Sequence, residues 1–148
     1  MIAVEVDNRS GGAVDEAAAV ELARAALAAE GVPDGELGLA FVGADEMRAL
    51  KRDHLGVDEA TDVLSFPIDG RDPLPDGLPR QLGDVVLCPQ VVGAEWRWPL
   101  VHGLLHLLGY DHGDEMEARE EALLSGVGST EPPRSGGGGL AGAGAETA

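Results

Sequence analysis

The sequence predicts an α+β fold: a mixed four-stranded sheet packed with helices. Three observations carry this. Four short segments, IAVEVD (2–7), ELGLAFVG (36–43), DVLSFPI (62–68) and LGDVVLC (82–88), are β-like, and the first two alternate apolar and polar residues. Four others have helical composition and punctuation. Their order, β-α-β-α-β-β-α-α, breaks the regular βαβ series that would give an all-parallel sheet.

The first helix is read at 15–30, DEAAAVELARAALAAE, where Val20, Leu22 and Leu27 lie along one side. Asp15 suits its N-cap, Gly31 its exit, and Pro33 blocks continuation. A second helix is read at 45–54, with Asp45 as its cap. The stretch IDGRDPLPDGLPRQ between the third and fourth strands carries two Asp-Gly pairs and several prolines, which makes it a loop. An apolar helix follows at 99–108, with Pro99 in a first turn where its missing N–H costs nothing. An acidic amphipathic helix closes the domain at 114–125. Residues 127–148 hold seven glycines and three charges and bury too little apolar surface to offset the entropy of ordering. The folded unit is therefore expected at about 1–126, with 127–148 as a disordered Gly-rich tail.

Of the 148 residues, 44% are apolar, but aromatics are limited to two Trp, two Phe and one Tyr, so Leu, Val and Ala must fill the core. No apolar run reaches eighteen residues, and the N-terminus lacks a basic start with a long apolar stretch, so neither a membrane span nor a secretory signal is expected. A single cysteine, Cys88, cannot form an internal disulfide and reads as a small buried residue of a cytoplasmic protein. The net charge of −17 repels polyanions at long range. Any nucleic-acid role must rest on a local basic patch, a metal ion or a partner protein.

Residues 102–112 read HGLLHLLGYDH and hold three of the four histidines. On a helix, His102 and His106 share one face, with stems about 6 Å apart, close enough to grip one ion. Gly109 suits the helix end, and the turn after it can return His112 to the pair. Three imidazoles suit one zinc ion per chain, on a central helix and the turn that follows, and they leave a coordination position open. Open sites are catalytic by default. A closed site completed by Asp111, Asp114 or Glu115 is the minor alternative.

The pattern parallels the zinc peptidase motif HExxHxxGxxH at His102, His106, Gly109 and His112, but residue 103 is glycine. A peptidase needs glutamate there to move the proton between water and the leaving amine. Glycine inside a helix costs about 1 kcal/mol relative to alanine, which hints at a close approach to the backbone.

HGLLHLLGYDH, with glycine in second place, closely resembles the signature of the YbeY family of bacterial ribosomal-RNA maturation factors. TDVLSFP (61–67) resembles that family's central strand motif, LGDVVL (82–87) its Gly-Asp strand, and EMEARE (115–120) its closing acidic helix. The resemblance spans about residues 1–125. It implies a zincin-like α+β fold and zinc at His102, His106 and His112. It also implies single-strand-specific endoribonuclease activity near the 3′ end of the small-subunit rRNA, in ribosome maturation. Phosphodiester cleavage can use the neighbouring 2′-hydroxyl and needs charge stabilisation more than a dedicated carboxylate, so Gly103 harms a peptidase more than a nuclease. Asp111 is a candidate to orient a ligand histidine, and equally a turn-forming aspartate.

Two departures stand out. Leu55 occupies the place of an arginine common in the family before TDVLSFP, and the connection ahead of the zinc helix is shorter by about a dozen residues, which such connections tolerate. A more open cleft is expected. Candidate RNA contacts are Arg48, Lys51 and Arg52 at helical spacing, Arg80, and Arg97 between Trp96 and Trp98. The plainer readings are a solvated face for the first three and core anchors for the tryptophans. His54 reads as surface. Ser65, Asp62 and Asp84 read as structural.

Three functions compete. The first is a zinc-dependent endoribonuclease acting on single-stranded rRNA. The second is a zinc amide hydrolase with Glu115 or Asp114 as its base. The third is a zinc-bearing assembly factor that binds ribosomal proteins or a ribosome-assembly GTPase without cutting RNA.

Overall fold

The computed structural model describes residues 1–126 and 146–147. Four strands, β1 (Ile2–Asn8), β2 (Gly35–Phe41), β3 (Val63–Pro67) and β4 (Gln81–Leu87), form a mixed sheet in the order β1-β2-β4-β3. The helices are α1 (Glu16–Ala29), α2 (Ala44–Leu55), the short α3 (Pro89–Val92), α4 (Arg97–Leu107) and α5 (Asp114–Gly126). The eight elements expected from sequence are all present, with ends displaced by two residues at most. Asp45, however, lies inside the first turn of α2; Gly43 takes the cap position, and Gln90 accepts the Ala44 N–H instead. A two-residue strand, β5 (Glu146–Thr147), runs parallel to β3 at Leu64 and Ser65. The rest of the expected tail, 127–148, lies outside the described residues.

Topology places the site. β1, β2 and β4 are mutually parallel, and β4 inserts between β2 and β3, pairing antiparallel with β3. Alternation of side chains then divides the sheet into two faces. On one, Leu37, Leu39, Phe41, Val63, Val85 and Leu87 pack against α1, α4 and α5. On the other, Leu64, Val86 and Val42 meet Met47 of α2, with Cys88 buried among them.

Helix α4 is the most deeply enclosed element. Every residue from Trp98 to Leu107 is buried, as its all-round apolar sequence requires. It starts two residues earlier than the proline suggests. Pro99 sits third, where the N–H has no intrahelical partner in any case. At its far end Gly109 takes φ +97°, with Gly109 N–H bonded to His106 O (3.0 Å) and Tyr110 N–H to Leu105 O (3.1 Å). This paired reversal turns the chain sharply after the helix.

The close approach anticipated at Gly103 is made by the sheet. A Cβ there would lie 2.9 Å from Val85 Cγ1, 3.1 Å from Ser65 Oγ and 3.1 Å from Val63 Cγ2. Ser65, fully buried, donates its hydroxyl to Gly103 O (3.1 Å) and ties β3 to the helix. Ser65 is therefore a structural residue, as expected.

Alanine normally strengthens a helix relative to glycine by about 1 kcal/mol. Here overpacking against the sheet costs about 1–3 kcal/mol and wins. Gly103→Ala is expected to lower the urea midpoint and the Tm, and Gly103→Glu to prevent folding. Equilibrium unfolding followed by circular dichroism measures both.

Candidate metal centre

His102 and His106 come from α4, four residues apart on one face, and His112 returns from the turn that Gly109 opens. One ligand atom from each lies within 4.8 Å of the others. His106 Nε2 and His112 Nε2 are 3.1 Å apart. Among the described residues no other His, Cys, Asp or Glu joins this group, so Asp111, Asp114 and Glu115 do not complete a closed four-ligand site.

The surroundings constrain the two buried rings. Glu120 of α5 accepts a hydrogen bond from His102 Nδ1, and both residues are buried. That bond puts an N–H on Nδ1 and leaves Nε2 as the nitrogen available to an ion. His102 Nε2 is buried and has no hydrogen-bond partner. An orphaned buried acceptor of this kind costs about 1–3 kcal/mol and calls for something to meet it. His106 is pushed down from the usual 6.5 to about 4 by burial and by the charges of His102 and His112, with Asp111 opposing the shift. At neutral pH it is an uncharged imidazole. Imidazole nitrogens converging from three sides, one of them buried without a partner, fit zinc or a similar divalent transition ion.

The walls are uneven. Trp98 stacks on His102, with ring centroids 5.0 Å apart and planes 24° apart. His102 is 1% exposed and His106 7%, whereas His112 is open to solvent. The His112 side of the cluster is therefore the side open to solvent. A cleft of about 420 Å³ borders His106 and is lined also by Pro67, Ile68, Arg71, Tyr110 and Asp111. Asp62 is buried, accepts the Val63 N–H at 2.8 Å and feels the charge of His102; burial raises its pKa.

The other predicted residues fall in several places. Asp111 is exposed, and Glu120 takes the ring-orienting contact on His102. Asp84 lies on the opposite sheet face, its carboxylate over Gly38 of β2, so it does not face the histidines. The α2 residues do not form a free positive face. Lys51 is 3% exposed and pairs with Glu59 (3.1 Å), Arg48 pairs with Asp58 (3.2 Å), and Arg52 meets Asp53 (3.4 Å). Arg80 donates to Gly70 O (2.7 Å) in the β3–β4 loop. Arg97 covers the Trp96 ring at 4.5 Å. His54 is exposed, edge-on to Phe66.

Glu120 went unassigned in the sequence, although a signal existed. Met116, Glu120 and Leu123 follow at four and three residues, and all are buried. Glu120 is thus an acidic residue on the apolar stripe of α5, and a carboxylate placed there needs a partner.

A family model described as Endoribonuclease YbeY matches residues 5–127. The chain belongs to the YbeY family. Proteins named Endoribonuclease YbeY from Salinispora tropica and Chloroflexus aurantiacus are 38% and 40% identical to it. The matches cover 83% and 84% of this chain and 91% and 95% of theirs. A YbeY protein from Halorhodospira halophila is 45% identical, covering 66% of this chain and 74% of its own. A Thermotoga maritima protein, TM1509, solved in solution, shares the fold with TM-score 0.53 at 24% identity, over 86% of this chain and 89% of that one. The stretch HGLLHLLGYDH within the matched residues maps onto the histidine cluster of α4 and its turn, with Gly103 packed on the sheet.

Two measurements test the site. Glu120→Gln is expected to weaken zinc binding about 10- to 100-fold, read by chelator competition. Below pH 6.5 the unfolded chain takes up a proton at His106 that the folded chain refuses until about pH 4. The metal-free protein should therefore lose stability as pH falls through that window, and His106→Ala should flatten the slope in urea titrations.

Proposed function

We propose that this chain is a zinc-dependent, single-strand-specific endoribonuclease. Its substrate is ribosomal RNA near the 3′ end of the small subunit, cut in the cytoplasm during ribosome biogenesis. The observation that carries the reading is the convergence of three imidazoles around an outward-facing position, in a chain of the YbeY family. The names of its relatives supply the reaction class.

His102, His106 and His112 would hold the ion. A zinc ion there supplies Lewis-acid stabilisation of charge developing on a phosphoryl oxygen. The chain's own residues do the rest. Glu120 keeps the proton on His102 Nδ1 and fixes that ring's orientation. Burial keeps His106 uncharged, so the site does not repel a cation. Trp98 shields the inner face of the triad from water. Solvent exposure at His112 and the adjoining cleft admit a strand.

The amide-hydrolase reading weakens on geometry. A side chain at 103 would run into Val85 and Val63, and Glu115 and Asp114 lie outside the convergent group. The assembly-factor reading draws support from charge. The net charge is −17, and the α2 bases are matched by acids. We read this as action assisted by ribosomal proteins or a ribosome-assembly GTPase, with Arg97 beside Trp96 and Arg80 as local RNA contacts and Arg48 and Arg52 as weaker ones.

The deciding experiment compares cleavage of single-stranded rRNA by rigorously purified wild type and His106→Ala. Loss of cleavage by about 100-fold or more in the variant is expected if the metal centre does the chemistry. Equal cleavage by both would assign the activity to a contaminant and leave the assembly role. Elemental analysis should give near one zinc per chain.

A further inference from the structure

Glu30 follows the last residue of α1 in a part of the chain that no metal motif touches. Its side chain is 3% exposed. Burying a carboxylate costs several kcal/mol unless charge and hydrogen bonds compensate it, so its partners are informative. Tyr110 donates its hydroxyl to Oε1 at 2.7 Å, and Arg71 donates Nη2 to the same oxygen at 3.1 Å. Arg119 donates Nε to Oε2 at 2.6 Å, and its Nη2 also pairs with Oε2. Arg71 Nη1 further donates to the Glu30 backbone carbonyl at 2.8 Å.

Two of these partners flank the metal centre. Tyr110 lies in the turn between Gly109 and His112. Arg119 immediately precedes Glu120 on α5. One carboxylate therefore ties down both the turn that carries the exposed ligand and the helix that carries the partner of His102. His112 needs such a tether. It sits beyond the end of α4, and the backbone bonds that reverse the chain stop at Tyr110.

We propose that Glu30 is a positioning residue of the metal centre: through Tyr110 and Arg119 it sets the approach of His112 and of Glu120, and so the affinity and geometry with which the triad holds its ion. This rests on the metal-binding reading given above. A ligand held in place before binding loses less freedom when the ion arrives, which strengthens binding without any new contact to the ion.

The test uses full-length protein stripped of metal, at a temperature where circular dichroism shows each variant folded. Zinc affinity is read by chelator competition. Coordination geometry is read from the visible absorption of added cobalt(II). Tyr110→Phe removes one hydrogen bond and leaves both arginine pairs intact. Glu30→Gln keeps an acceptor for Tyr110 but cancels the charge. Both are expected to raise the zinc Kd, by about 10-fold on the scale of outer contacts to ligands, and to alter the cobalt spectrum. Met47→Ala, which loosens only the α2 side of the sheet, should lower the Tm and leave Kd and spectrum unchanged. Wild-type Kd and spectrum in folded Tyr110→Phe would overturn the proposal, and so would an equal rise of Kd in Met47→Ala. Should Glu30→Gln fail to fold, Tyr110→Phe decides. No ion bound by the wild type would instead remove the metal-centre reading itself, a different result.

Discussion

A buried carboxylate holding the inner nitrogen of a buried imidazole is the interaction on which this protein's site depends. Without Glu120, His102 would be a polar ring inside an apolar helix with both nitrogens unmet. With it, one nitrogen is satisfied and the other, Nε2, is left for the cluster formed with His106 and His112. The same contact fastens α5 across α4. Ligand chemistry and helix packing are thus settled together.

The sheet makes that arrangement rigid. β4 lies between β2 and β3, so α4 meets two strands at once, and the glycine just past its middle lets the helix settle directly on Val63, Ser65 and Val85. Residue 103 thereby turns toward the sheet and away from chemistry. What distinguishes this centre from a zinc peptidase is accordingly more than a missing glutamate. The position is occupied by the fold itself, and a carboxylate there would have nowhere to go.

Charge sets the character of the surface around the site. The acidic excess is broad, and the α2 bases lie against acids of the following loop. Long-range attraction of RNA is therefore weak, and under the proposed function capture would fall to short-range elements: a bound ion, the solvent-open side at His112 and the Arg97–Trp96 stack.

The sequence alone determined the eight main elements and the clustering of three histidines, because each is encoded locally. Alternation marks strands, Asp15 and Gly109 mark helix ends, and a spacing of four puts two histidines on one face whatever surrounds them. The mixed character of the sheet was legible in element order, but not that β4 would insert between β2 and β3. The basic residues of α2 looked like a positive face by spacing, whereas the fold buried Lys51 against Glu59. Glu120 was legible only as an acid on an apolar stripe, and Glu30 hardly at all, since its partners Arg71, Tyr110 and Arg119 are scattered along the chain. Tertiary structure decided these because the energy of a buried charge depends on which distant groups meet it. Neighbours in sequence do not carry that information.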